Sequence, residues 1–217
     1  MKNKKSYAIF GLGRYGMAVA AELAKNGEDV IAIDKNIDVI NDAVDKIPIC
    51  KCGDVTDEDV LLQLGIQNID VVIISMAKNL EAAIMATTLC KEMGVPHIIV
   101  KCKNETHEKI MKKIGADQTV CPEDESGIRL AQNLSHPGIS DIFELTEGCS
   151  ILEIKALEEW VGKPLSELAL RRKYGINIMA IKDGEKITTN INPETTLSKE
   201  MTLIIMADDE KIKKLKY

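Results

Sequence analysis

Tyr7-Ala8-Ile9-Phe10-Gly11-Leu12-Gly13-Arg14-Tyr15-Gly16 decides the fold of this chain. A short apolar run enters G-x-G-x-x-G, and Met17, Ala20, Ala21 and Ala24 follow at helical spacing, so the glycines join a strand to a helix. In that context each glycine has its own task. Gly11 makes the tight turn, Gly13 lets a pyrophosphate approach the backbone, and Gly16 lets the helix lie close on its strand. The free N–H groups and positive dipole end of the helix then favour phosphate. A second apolar strand, Val30-Ile31-Ala32-Ile33, ends in Asp34, near the spacing expected of an acid that accepts from a ribose diol. That acid repels a 2′-phosphate, which disfavours an NADP-type ligand.

Working outward, strands and helices alternate. Asn36 is placed to cap a helix over 37–45, and Ile49-Cys50-Lys51 gives a third strand. The loop Gly53-Asp54-Val55-Thr56-Asp57 leaves that strand at its carboxyl end, where open parallel sheets meet an adenine, and a helix over 58–64 follows. Val71-Val72-Ile73-Ile74-Ser75 reads as a central strand covered on both faces. A helix over 80–93, a strand at Ile98-Ile99-Val100, a helix over 105–114 and a strand at Thr119-Cys121 complete a doubly wound α/β domain. Another helix opens at Pro122 and fades at His136-Pro137-Gly138, which sets the expected boundary: 1–138 for a Rossmann-like domain, 139–217 for a small α+β domain. The second domain is expected to hold a strand over 150–154, a small helix over 164–168, a hairpin turning at Asp183-Gly184, a strand over 202–206 and a last helix from Glu210.

Composition narrows the function. A net charge of −6 and only four Tyr, two Phe and one Trp argue against a nucleic-acid partner, which needs a basic face or stacking platforms. No apolar run reaches the roughly 18 residues of a membrane span, and Met1-Lys2-Asn3-Lys4-Lys5 leads into the first strand without a signal-peptide core. The expectation is a soluble cytoplasmic chain with no membrane insertion. Six cysteines without a C-x-x-C pair suit free thiols in a reducing compartment. A catalytic set is missing: no tyrosine is followed four residues on by lysine, and His97, His107 and His136 stand apart. Arg14 is read as lying inside the phosphate loop, where a guanidinium can fork onto phosphate oxygens, and Lys101 ends the fifth strand facing the same crevice.

With these residues in view, the chain resembles the cytoplasmic gating subunits of the Ktr/Trk potassium-uptake systems, of the KtrA/TrkA type. Gly11 to Gly16, Ala32-Ile33-Asp34, Gly53-Asp54-Val55-Thr56, Val100-Lys101, Lys113-Ile114-Gly115-Ala116-Asp117 and Arg172-Lys173-Tyr174-Gly175 with Ile178 to Lys182 carry the likeness. It implies an RCK (regulator of potassium conductance) N-terminal domain followed by an RCK C-terminal domain, and no enzyme. The nucleotide site it implies comprises Gly11, Gly13, Arg14, Tyr15, Gly16, Asp34, Lys35, Asp54, Val55 and Lys101. ATP or ADP is expected ahead of NAD or NADH, and Glu123 stands where a Mg²⁺ or Ca²⁺ ligand is implied. A further expectation is cyclic di-AMP between paired C-terminal domains, met by Arg171, Arg172, Ile176 and Pro193. The partner implied is a membrane potassium-transporter subunit, engaged by an octameric ring built from dimers. The apolar helix over 80–93 is expected to be shared with another subunit. The alternative function is a small NAD(H)-dependent oxidoreductase.

Overall fold

The run before the glycines is a strand, Ser6–Phe10 (β1), in which Ala8, Ile9 and Phe10 are fully buried. The computed structural model describes residues 4–135, 139–146 and 148–212. By its internal contacts the chain divides into two units, residues 1–125 and 126–217.

In the first unit, β1 leads to Arg14–Lys25 (α1), Asp29–Asp34 (β2), Ile37–Ala43 (α2), Ile49–Cys52 (β3), Glu58–Gln63 (α3), Val71–Ile74 (β4), Leu80–Glu92 (α4), His97–Lys101 (β5), Glu105–Ile114 (α5) and Gln118–Val120 (β6). The strands pair in parallel in the order β3-β2-β1-β4-β5-β6, the doubly wound arrangement read from the alternation of apolar runs. All four residues of β4 are buried, as a central strand covered on both faces requires. One apolar layer forms around Phe10, Ile33, Val72, Ile74 and Ile98. The other forms around Ile9, Ala20, Val30, Ala32 and Ile40.

Short polar side chains start the helices. Asn36, Asp57, Asn79 and Asn104 accept from the backbone N–H of Asp38, Asp59, Ala82 and His107 at 2.9–3.1 Å, capping α2, α3, α4 and α5. Asp57, the last residue of the loop after β3, caps α3. Thr56 instead bonds Asp54. Much of α4, read as apolar all round, is covered inside its own unit. Ala83, Ala86, Thr87 and Cys90 are buried, and Leu80, Ile84, Leu89 and Met93 pack partly against the same core, with Thr87 touching Met111 of α5. Met85 is left 46% exposed.

The division between units falls inside Pro122–Ser135 (α6), at Glu125. His136, Pro137 and Gly138, where the sequence reading sets the boundary, lie outside the described residues. The second unit contains Ile139–Thr146 (β7), Cys149–Lys155 (β8), Leu165–Leu168 (α7), Leu170–Tyr174 (α8), Asn177–Asp183 (β9), Lys186–Thr188 (β10), Thr202–Asp208 (β11) and Asp209–Ile212 (α9). Its antiparallel sheet runs β10-β9-β11-β8-β7. The hairpin turns at Gly184, whose φ is +58°. Trp160, 1% exposed, anchors the core beneath Leu152, Ile154, Leu203 and Ile205, and meets Tyr174 edge-on at 5.5 Å. Two elements escaped the sequence reading: β7 and α8.

Gly16 lies within α1 and is buried. In most helix interiors Gly→Ala stabilises by about 0.5–1 kcal/mol. Here an added Cβ runs into the Gly11 carbonyl oxygen and comes within 3.2 Å of Ser75 Cβ. Overpacking against backbone costs about 1–3 kcal/mol, so the sign reverses. Gly16→Ala is expected to lower the urea midpoint of the first unit; a midpoint at or above wild type contradicts the close approach.

Candidate functional site

The strand order changes direction between β1 and β4, and in doubly wound sheets the crevice at the carboxyl ends of such a pair is where ligands bind. Gly11 opens this crevice with φ +86°, its N–H bonded to the Ile33 carbonyl at 2.8 Å. A side chain there is excluded twice over: the conformation is left-handed, and a Cβ comes within 2.8 Å of Met76 Cγ and 3.2 Å of the Ser75 carbonyl. Leu12 turns its side chain into the core. Gly13 is exposed, and a Cβ built on it meets nothing within 4 Å. The glycine that the motif reserves for close ligand approach therefore faces open space.

Gly13 is also the N-cap of α1, extended at φ −63° and ψ −178°, so Arg14 is the first helical residue. This corrects the reading of Arg14 as a loop residue. No side chain caps α1 and no acid lies in its first turn. Its leading N–H groups and positive dipole end remain available to an anion. The Arg14 side chain is exposed.

The acid after β2 has a structural task as well. Asp34 Oδ2 accepts from Leu12 N–H at 2.8 Å, and Oδ1 accepts from Asn36 N–H at 2.9 Å. Each oxygen retains acceptor capacity for a hydroxyl. Beyond it, Lys35 is exposed and lies within electrostatic reach of Asp54. Thr56 donates to Asp54 Oδ1 from its hydroxyl at 2.7 Å and its N–H at 3.0 Å, which together hold that carboxyl below the usual range. Val55 is 4% exposed and packs in the core.

On the other side of the crevice, Lys101 Nζ lies 2.6 Å from Glu123 Oε1 and 5.5 Å from the centre of the Tyr15 ring. The lysine side chain is 14% exposed and the glutamate 71%. Hydrogen bonds from Lys101 and from its own backbone N–H, with the charges of Lys101 and Arg14 adding, hold the Glu123 carboxyl low. Burial, then Glu125 and Glu123, push the Tyr15 hydroxyl up. Glu125 Oε1 accepts from Cys121 N–H at 3.1 Å, closing the first turn of α6. Cys121 itself is buried, and its thiol is pushed up to about 12, first by burial and then by Glu108.

The first unit thus gathers Arg14, Tyr15, Lys101 and Glu123 at one end of the crevice and Asp34, Lys35 and Asp54 at the other, with the glycine turn between. The Lys101–Glu123 pair and the Tyr15 contact were not read from sequence. Their signal is the register that sets Lys101 beside Val120, three residues before Glu123. Among the described residues no three His, Cys, Asp or Glu side chains gather as a metal set.

In the second unit, Arg171 lines a cavity of about 240 Å³ with Cys149, Gly175, Asn177, Asp208 and Lys211. Arg172 and Pro193 are exposed and do not line it. Ile176 is 2% exposed and belongs to the core.

Residues 7–122 match the TrkA-N domain and residues 142–216 the TrkA-C domain. The chain is 39% identical over 203 residues to the Ktr system potassium uptake protein C of Bacillus subtilis, covering 94% of this chain and 92% of that protein. It is 35% identical over 214 residues to the Ktr system potassium uptake protein A of the same organism, covering 99% and 96%. Among solved structures it resembles the GsuK channel bound to NAD, with a TM-score of 0.54 and 25% identity over 97% of this chain. It spans only 38% of that channel chain. The GsuK RCK domain gives a TM-score of 0.55 at 25% identity, covering 97% of this chain and 45% of that one.

Two outcomes are expected. Asp34→Ala leaves the Leu12 and Asn36 N–H groups without their acceptor, and such losses cost about 1–3 kcal/mol each where water does not compensate. The urea midpoint of the purified variant should fall even without ligand, and an unchanged midpoint removes the structural role. Glu123 should titrate below the usual glutamate value of about 4.3. Because its folded value is depressed, the ion pair contributes in full above that range and is lost as pH falls through the folded value. Carboxyl NMR should show the midpoint rising in Lys101→Met.

Proposed function

We propose that this chain, which belongs to the family built from a TrkA-N domain followed by a TrkA-C domain, is the nucleotide-binding regulatory subunit of a potassium-uptake system. The likeness to the Ktr proteins runs through nearly the whole of both chains, which supports regulation of potassium flux over a small NAD(H)-dependent oxidoreductase. No helix among the described residues is long and apolar enough to cross a membrane. The flux itself then passes through a separate membrane subunit, with this chain on the cytoplasmic side.

The observation that carries the ligand class is the uncapped amino end of α1 at the strand switch, with Gly13 open above it and cations on both sides. A nucleotide fits with its ribose diol on Asp34, its base along the Lys35 and Asp54 side, and its phosphates at Gly13 and Arg14. Arg14 and Lys101 place two positive charges where a terminal phosphate ends, which favours ATP or ADP over NAD. Glu123 contributes one oxygen to a Mg²⁺ or Ca²⁺ site whose other ligands come from outside this chain.

The working assembly is a ring of dimers, an octamer by analogy with the resemblance. Exposed Met85 on α4 and Ile128, Leu130 and Leu134 on α6, 59–75% exposed for the last three, are apolar surfaces such contacts can cover. Cyclic di-AMP is the ligand proposed for paired second units, with Arg171 as its phosphate contact.

Calorimetry of ATP, ADP, NAD and NADH against wild type and Arg14→Ala tests the nucleotide reading. A charge-assisted contact contributes about 1.5–3 kcal/mol, so Arg14→Ala should weaken ATP at least about tenfold. NADH binding as tightly as ATP, with no response to Arg14→Ala, overturns the preference.

A further inference from the structure

Lys101 is a cation with little access to water, and its bond to Glu123 is short. An ammonium so placed needs an anionic partner. Glu123 is the opposite case: 71% exposed, it can hydrate freely once released. The ammonium also sits against the ring of Tyr15, the second residue of α1, so it borders the helix end that faces the crevice. Glu123 and a ligand phosphate therefore compete for one cation. Neighbouring acids do not join this competition. Glu125 accepts from the Cys121 N–H, and no hydrogen bond or ion pair ties Asp124 to Lys101 among the described residues.

We propose that Lys101 exchanges between Glu123 and the terminal phosphate of a bound nucleotide, so that occupancy of the site removes one of the two side-chain ties, Glu123–Lys101 and Glu125–Cys121, at the first turn of α6 and loosens it. This rests on the nucleotide reading above and adds its regulation. Glu123 is the second residue of α6, and α6 runs past Glu125 into the second unit, so the loosened turn belongs to the segment that joins the two units. Glu123 acts here as a competing partner that lowers affinity while coupling binding to the helix.

The test is ADP binding measured by calorimetry on the full chain in excess EDTA, which sets divalent ions aside. Exposed ion pairs contribute roughly 0.2–1 kcal/mol, so Glu123→Gln should tighten ADP by about 1.4-fold to fivefold. In a Lys101→Met background the same change should have no effect, because the competition is gone. Asp124→Asn, which removes an equal charge one residue away, should tighten ADP less than Glu123→Gln does. Hydrogen exchange of the 123–126 amides should quicken when ADP is added to wild type and stay unchanged in Lys101→Met. If ADP binds wild type but Glu123→Gln leaves its affinity unchanged or weaker, the exchange is overturned while the nucleotide reading stands. Equal tightening in the Lys101→Met background, or by Asp124→Asn, shows plain charge repulsion and also overturns it. No ADP, ATP or NAD binding to wild type overturns the nucleotide reading itself.

Discussion

The contact between Gly16 and the carbonyl oxygen of Gly11 leaves no room for a methyl group, and the carboxyl edge of the first sheet depends on it. Because that approach is so close, the first turn of α1 lies directly on the turn that ends β1. Gly11 in turn lies under Met76 and Ser75, the residues that leave β4. Two strand ends and one helix start are therefore fixed as a single object. Rigid placement of this kind aims the helix dipole into the crevice, where a partial positive charge is useful only if its position is held.

Asp34 shows why an acid after a second strand is ambiguous evidence on its own. Its carboxylate accepts from Leu12 on one side and Asn36 on the other, tying the glycine turn to the start of α2. That task exists without any ligand. What points to a ligand is the contrast with the neighbouring helices. α2, α3, α4 and α5 carry Asn or Asp side chains on their leading N–H groups, whereas α1 has a glycine with no side chain to offer. Orphan donors at a helix start are ordinarily satisfied by a cap, by water or by a ligand. The strand switch places α1 where the third of these is geometrically open.

The first unit was legible in the sequence because its signals are local and mutually consistent. Val71-Val72-Ile73-Ile74 can hardly be anything but a buried strand, and the Asn and Asp caps fall where apolar spacing changes period. β7 was not legible because its pairing with β8 shifts register between Ile139 and Asp141 and again between Glu144 and Thr146. Each bulge breaks the period-two alternation by which a strand is recognised. α8 was hidden for a different reason: Ala169 adopts φ +47°, a left-handed conformation that sequence gives no cause to expect of alanine, and it splits two short helices. Side-chain pairs across elements were the least visible layer. Lys101 and Glu123 are 22 residues apart, and only the parallel register of β5 and β6 brings them together. The α4 reading shows the same limit from the other direction. Apolar residues around a helix reveal that both faces are covered, while only the structure assigns much of that cover to α5.

A chain with net charge −6 places an acid beside one cation of its crevice and leaves another without one, and the reason lies in desolvation. Arg14 is exposed and keeps its hydration, so it needs no standing partner. Lys101 is mostly covered, and an ammonium there needs an anionic partner. Glu123 keeps that charge in place. The same argument separates Glu123 from Glu125, although both follow Pro122 by a few residues and both affect Tyr15. Glu125 is fixed by the Cys121 N–H and serves the helix start, while Glu123 is held by Lys101 and by its own backbone N–H. A carboxylate tied to the rest of the chain by one exposed ion pair is the one that a better anion can displace. The electrostatics of the crevice therefore turn on a mostly covered cation whose partner the geometry places on α6.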